Sequence, residues 1–187
     1  MKMNLPNKLT ILRIVMVPFF VFFLLADFVS HRYLFALILF CAASYTDHLD
    51  GKIARRDNLI TNFGKLMDPL ADKILVMSAL ICLVKLDLAS AVCVILIMLR
   101  EFAVTSVRLL AVEQGRVIAA NNWGKAKTVS QMIAIITILF LQYVCTFAPA
   151  ALAACTLIGH ILIWIAAALT VISGVIYFKD NLDVLKG

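Results

Sequence analysis

Asp47 and Asp50 stand three residues apart, and Asp68 and Asp72 stand four apart. On a helix each pair shares one face. Four such carboxylates gathered together cannot all stay ionised without a cation. An all-oxygen set suits Mg²⁺ or Mn²⁺, and Mg²⁺ usually shares its shell with the phosphates of a substrate. The residues between them fit that chemistry. Gly51 follows Asp50 directly and lets a ligand approach the backbone. Gly64 lies one turn before Asp68 and permits close helix packing. Arg55 offers a planar fork for phosphate. Other chemistries use fewer carboxylates: one intramembrane aspartate serves as a structural hydrogen-bonding group, and two can make a proton or ion path. The spacing is D-x-x-D-G, so it matches neither the D-x-D-x-D-G of an EF-hand nor the D-x-D-G of an acid phosphatase.

The elements that position these groups are apolar. The chain of 187 residues is 64% hydrophobic and 15% charged, against ~25% charged in a soluble domain. Long continuous apolar runs recur along it, and about 20 helical residues cross a bilayer core. Only helices and closed barrels satisfy the backbone there. The expected fold is an all-α integral membrane protein with six transmembrane helices in one domain, residues 1–187. The spans are Leu9–Ala26, Tyr33–Ala54, Gly64–Val84, Ala89–Ala111, Lys127–Thr146 and Ala150–Phe178. The segment NLPNKLTILR reads as a short interfacial lead-in to the first. The last run is too long for one straight crossing, so its end is expected to tilt or lie in the interface. No cleavable signal peptide, internal repeat or low-complexity tract is visible.

With both termini on one side, 15 of the 17 basic residues share that side, Arg13 and Lys73 among them, and only Arg32 and Lys85 face the other. By the positive-inside rule the termini and the aspartate hairpin face the cytoplasm, across a cell (inner) membrane. The net charge of +6 is then a basic face for anionic headgroups and phosphate ligands, and it needs no nucleic acid. The five cysteines lie in apolar runs with no C-x-x-C pair, and the three histidines are scattered. Both read as structural rather than metal-binding. The carboxylates of the hairpin sit at headgroup depth, since Asp68 and Asp72 are roughly 6–12 Å of helix past Gly64. A transporter is expected to place its carboxylates near the midplane on broken helices. A cation transporter is therefore the remote alternative.

The run Asp47-x-x-Asp50-Gly51-x-x-Ala54-Arg55, eight residues, Gly64-x-x-x-Asp68-x-x-x-Asp72 resembles the signature of the CDP-alcohol phosphatidyltransferases at every fixed position and in both gaps. That resemblance implies a six-helix membrane enzyme, commonly a homodimer. It would move a phosphatidyl group from CDP-diacylglycerol to an acceptor hydroxyl and release CMP. It implies that Asp47, Asp50 and Asp68 hold a pair of Mg²⁺ or Mn²⁺ ions. Asp72 would be the general base and a further metal contact. Gly51, Arg55 and Thr61 would line the CDP site, with Asn7 and Thr10 closing over it.

The acceptor depends on the remaining polar residues. LREFAVTSVRLL carries Arg100, Glu101 and Arg108, and WGKAKTVSQ carries Lys125, Lys127 and Gln131. Arg100 and Arg108 lie on nearly one helix face. As topology charges these cations need no further role, and that suffices for Arg116. Arg100, with apolar residues before it and Glu101 beside it, fits better in a pocket for a phosphate on the acceptor. These segments, with TVISGVIY and the N-terminal run, resemble the family members that use glycerol 3-phosphate. Arg100, Arg108, Lys125 and Lys127 are then the expected ligands of glycerol 3-phosphate. Inositol phosphate and phosphatidylglycerol are the rival acceptors.

Overall fold

A computed structural model describes residues 4–56, 62–116, 118 and 122–185, apart from the side chains at 48, 50–52, 54, 55, 62, 63, 65, 66, 184 and 185. Among the described residues there is no strand. The helices are α1 Leu5–Leu25, α2 Arg32–Arg56, α3 Asn62–Lys85, α4 Ala91–Glu113, α5 Asn122–Cys145, α6 Leu152–Asp180 and a short α7 Leu182–Leu185. Each expected span falls on one of the first six. Two starts, those of α1 and α5, are four and five residues earlier than the apolar pattern indicated. The lead-in NLPNKLTILR is helical from Leu5, because Pro6 occupies the first turn, where its missing N–H has no partner to lose. α5 begins at Asn122, so the polar residues before Lys127 belong to its first turn.

Three stretches, Leu5–Leu25, Asn122–Cys145 and Pro149–Asp180, are long and apolar enough to cross a membrane by length and composition. α2, α3 and α4 have similar lengths of 25, 24 and 23 residues, but they carry the charges of the site. The distribution of polarity is that of a membrane protein. Large apolar side chains such as Phe19, Ile38, Leu99, Phe102, Phe140 and Trp164 are exposed around the outside. Such a surface aggregates in water and is at ease in lipid. The interior combines an apolar core around Phe20, Phe40, Leu80, Ile97, Ile135 and Ile163 with buried polar groups. Lipid tails are as apolar as Leu, so packing and interhelical hydrogen bonds hold such helices together. Gln131 Nε2 donates to Thr170 Oγ1 at 2.9 Å, joining α5 to α6.

α1 packs on α2 and α3, α6 on α4 and α5, and α2 on α5. The helices alternate in direction, which sorts their ends into two groups. At one end His160 on α6 meets the Asp87 carbonyl at 3.2 Å, and His31 stands edge-on to Tyr143 with ring centroids 6.0 Å apart. The other end gathers the start of α1, the end of α2, the start of α3, the end of α4, the start of α5 and the end of α6. Those candidate site residues of the sequence that are described lie there.

Candidate active site

The site begins with three helices. α1 presents Asn7, Thr10 and Arg13 on one buried face, at the helical spacing of three. Thr10 Oγ1 lies 2.6 Å from Asp68 Oδ1 on α3 and 3.1 Å from the Pro6 carbonyl. Its one proton serves one of them at a time. Arg13 is fully buried. Its guanidinium reaches Asp47 Oδ1 on α2 at 2.8 Å and Asp72 Oδ1 on α3 at 3.3 Å. The two carboxylates of different helices thus converge on one cationic nitrogen. Both remain open to solvent, Asp47 at 40% and Asp72 at 49% of the side chain.

An open cavity of about 670 Å³ runs from these aspartates to the basic residues. Ser44 and Asp47 of α2 and Asp72 and Lys73 of α3 line it. Arg100, Glu101 and Arg108 of α4 and Lys125 and Lys127 of α5 line it as well. The basic side is built by α4, α5 and α6. Arg100 NH2 donates to Ser173 Oγ at 2.7 Å, and NH1 lies 3.3 Å from Glu101 Oε1. Lys127 is buried and donates to the same Glu101 oxygen. Lys73 donates to Thr105, whose hydroxyl donates to the Glu101 carbonyl at 2.7 Å. Arg108 and Lys125 are exposed to the cavity and have no hydrogen bond or ion pair among the described residues.

Most of the expected residues are therefore brought together. Asp47, Asp72, Arg100, Arg108, Lys125 and Lys127 share the cavity, and Asp68, hydrogen-bonded to Thr10, stands one turn before Asp72 on α3. Asn7 is buried on the same face as Thr10. Asp50, Gly51 and Arg55 fall within α2, but their side-chain positions, and Thr61 altogether, lie outside the described residues. Among the described residues no group of three histidine, cysteine or acidic side chains stands close enough to hold a metal. The donors that are described still fit a hard cation. They are carboxylate oxygens, and two of them already face a common positive charge.

Arg13 and Lys73 had counted as topology charges. The structure instead puts Arg13 between two site carboxylates and Lys73 in the cavity wall. The sign for Arg13 was available: a cation inside an apolar run, three residues after Thr10. Arg116 keeps its peripheral role, since it is exposed and pairs with Asp183.

A sequence model of the CDP-alcohol phosphatidyltransferase family matches residues 3–172. A Bacillus subtilis (strain 168) protein named CDP-diacylglycerol–glycerol-3-phosphate 3-phosphatidyltransferase is 44% identical, over 98% of this chain and 97% of its own length. Proteins of that name from Rickettsia felis and Haemophilus influenzae are 40% and 36% identical. The first covers 94% of both chains, and the second covers 100% of this chain and 96% of its own. The aspartates at one end of the helices and the extent of the match agree, and the chain belongs to the CDP-alcohol phosphatidyltransferase family.

Proposed function

We propose that the protein transfers the phosphatidyl group of CDP-diacylglycerol to sn-glycerol 3-phosphate, giving phosphatidylglycerophosphate and CMP. The observation that carries this reading is one cavity lined both by Asp47 and Asp72 of α2 and α3 and by Arg100, Arg108, Lys125 and Lys127 of α4 and α5. It has a place for a reacting pyrophosphate and a place for a phosphate-bearing acceptor. The names of the relatives agree with it.

Asp47, Asp50 and Asp68, with Asp72 as a further contact, would hold the divalent ions, two per site. Bound Mg²⁺ or Mn²⁺ would neutralise the pyrophosphate and the departing CMP phosphate. Asn7, Thr10, Gly51, Arg55 and Thr61 bind the CDP portion in this reading. The basic wall takes the acceptor's phosphate and turns its free primary hydroxyl toward the aspartates. Asp72 takes the proton of that hydroxyl as its oxygen bonds to the phosphatidyl phosphorus. The bond from that phosphorus to the CMP oxygen breaks, and CMP leaves with the electron pair. Arg13 keeps the Asp72 carboxylate directed into the cavity.

The same reading makes all six long helices membrane-crossing, in one domain of residues 1–187. Both termini and the cavity face the cytoplasm at the cell (inner) membrane, and two copies pair as a homodimer. The positive-inside count supports the orientation. The test is purified protein with CDP-diacylglycerol and Mg²⁺, offered glycerol 3-phosphate, inositol phosphate, serine and phosphatidylglycerol in turn. Glycerol 3-phosphate is expected to give the highest turnover. Equal or greater turnover with inositol phosphate overturns the acceptor and leaves the family intact.

A further inference from the structure

The four cations of the acceptor wall are not equivalent. Arg108 and Lys125 are exposed to the cavity and have no hydrogen bond or ion pair among the described residues. Arg100 and Lys127 are both largely buried and both held by Glu101. Lys73, Arg100 and Lys127 lie close enough to act electrostatically on one another. Like charges in a partly desolvated wall repel strongly unless an anion stands among them. Glu101 is that anion. α6 completes the arrangement. Ser173 accepts from Arg100, and Gly174 lies flat against the Arg100 stem, where a Cβ would come within 2.8 Å of Arg100 Cγ. A side chain at position 174 would push Arg100 out of its place.

We infer that Glu101 is a positioning residue for the acceptor. It gathers Arg100 and Lys127 into a preformed wall, with Ser173 and Gly174 as the backing, and leaves Arg108 and Lys125 to meet the phosphate directly. This rests on the acceptor reading above and deepens it. A phosphate entering a wall already assembled does not have to assemble it, so the acceptor binds more tightly. Glu101 also repels a phosphate at long range. That effect is smaller than the contacts it organises, because Lys127 and Arg100 touch it and screen it.

The test is steady-state kinetics of the full-length protein in lipid with Mg²⁺, each substrate varied in turn. Glu101→Gln keeps the shape and removes the charge. It is expected to raise the KM for glycerol 3-phosphate about tenfold or more, the worth of a charge-assisted contact. The KM for CDP-diacylglycerol and the kcat should stay essentially unchanged. Glu101→Asp, which restores the charge on a shorter stem, is expected to fall between. Gly174→Ala displaces Arg100 without touching Glu101 and is expected to raise the same KM, so the inference stays testable if Glu101→Gln does not fold. An acceptor KM that is unchanged or falls in Glu101→Gln, or a rise shared by both substrates, overturns the inference. If the wild type prefers another phosphorylated acceptor and Glu101→Gln raises the KM for that one alone, the acceptor reading fails and the role of Glu101 stands.

Discussion

Asp72 and Arg13 face each other across two helices, and their roles separate by what each removal leaves behind. Asp72→Asn keeps the size of the side chain and loses the proton acceptor. Turnover is expected to fall by about 10²–10⁴-fold while CDP-diacylglycerol affinity changes little. A loss of nucleotide affinity with turnover intact would leave Asp72 a metal contact alone. Arg13→Met removes the guanidinium that joins Asp47 to Asp72. It is expected to cost about 1–3 kcal/mol of stability in chelator. Added Mg²⁺ should recover part of that, because an ion can then occupy the place between the carboxylates. Thermal unfolding in detergent, with and without Mg²⁺, measures the difference, and equal losses in both conditions would separate Arg13 from the metal site. On the opposite wall, Arg108→Ala and Lys125→Ala are each expected to raise the acceptor KM about 10–150-fold. Arg116→Ala, whose partner is the exposed Asp183, should change little.

The helices were legible in the sequence because a run of some 20 apolar residues has few other solutions in lipid. Their polar ends were less so. The turn at Pro6 and the start of α5 at Asn122 carry no apolar period to announce them. The aspartates could be read because helical spacing and a specific pattern put them on shared faces. Lys127 could not be read fully, since its partner is Glu101 on another helix, and no local spacing records a contact made 26 residues away. Arg13 was hidden by the same circumstance, with its carboxylates 34 and 59 positions on. The polar pair Gln131 and Thr170 belongs to this scale as well. It joins α5 to α6 beside the cavity that Gln131 helps to line. Thr170→Val keeps the shape and strands the Gln131 amide. The loss is expected at about 0.6–1.7 kcal/mol of stability, read as a lower unfolding midpoint in detergent.

At the scale of the molecule, one end carries carboxylates and cations and the other carries an aromatic and histidine cluster. The apolar exterior between them fits a bilayer. If all six long helices cross, a fluorescent-protein fusion after Leu185 should glow, and alkaline phosphatase fused after Asp87 should be active. The reverse pattern would invert the orientation and put the cavity on the wrong side for a cytoplasmic nucleotide.

The central claim is that the acceptor's own hydroxyl displaces CMP from the phosphatidyl phosphorus within this cavity. The most direct measurement uses sn-glycerol 3-phosphate carrying ¹⁸O in its primary hydroxyl, with CDP-diacylglycerol and Mg²⁺, and mass analysis of both products. Direct attack predicts that the label is retained in the bridging oxygen of phosphatidylglycerophosphate and absent from CMP, with the two products formed in equal amounts. Label lost from the lipid product, label appearing in CMP, or CMP released with no lipid product would contradict it.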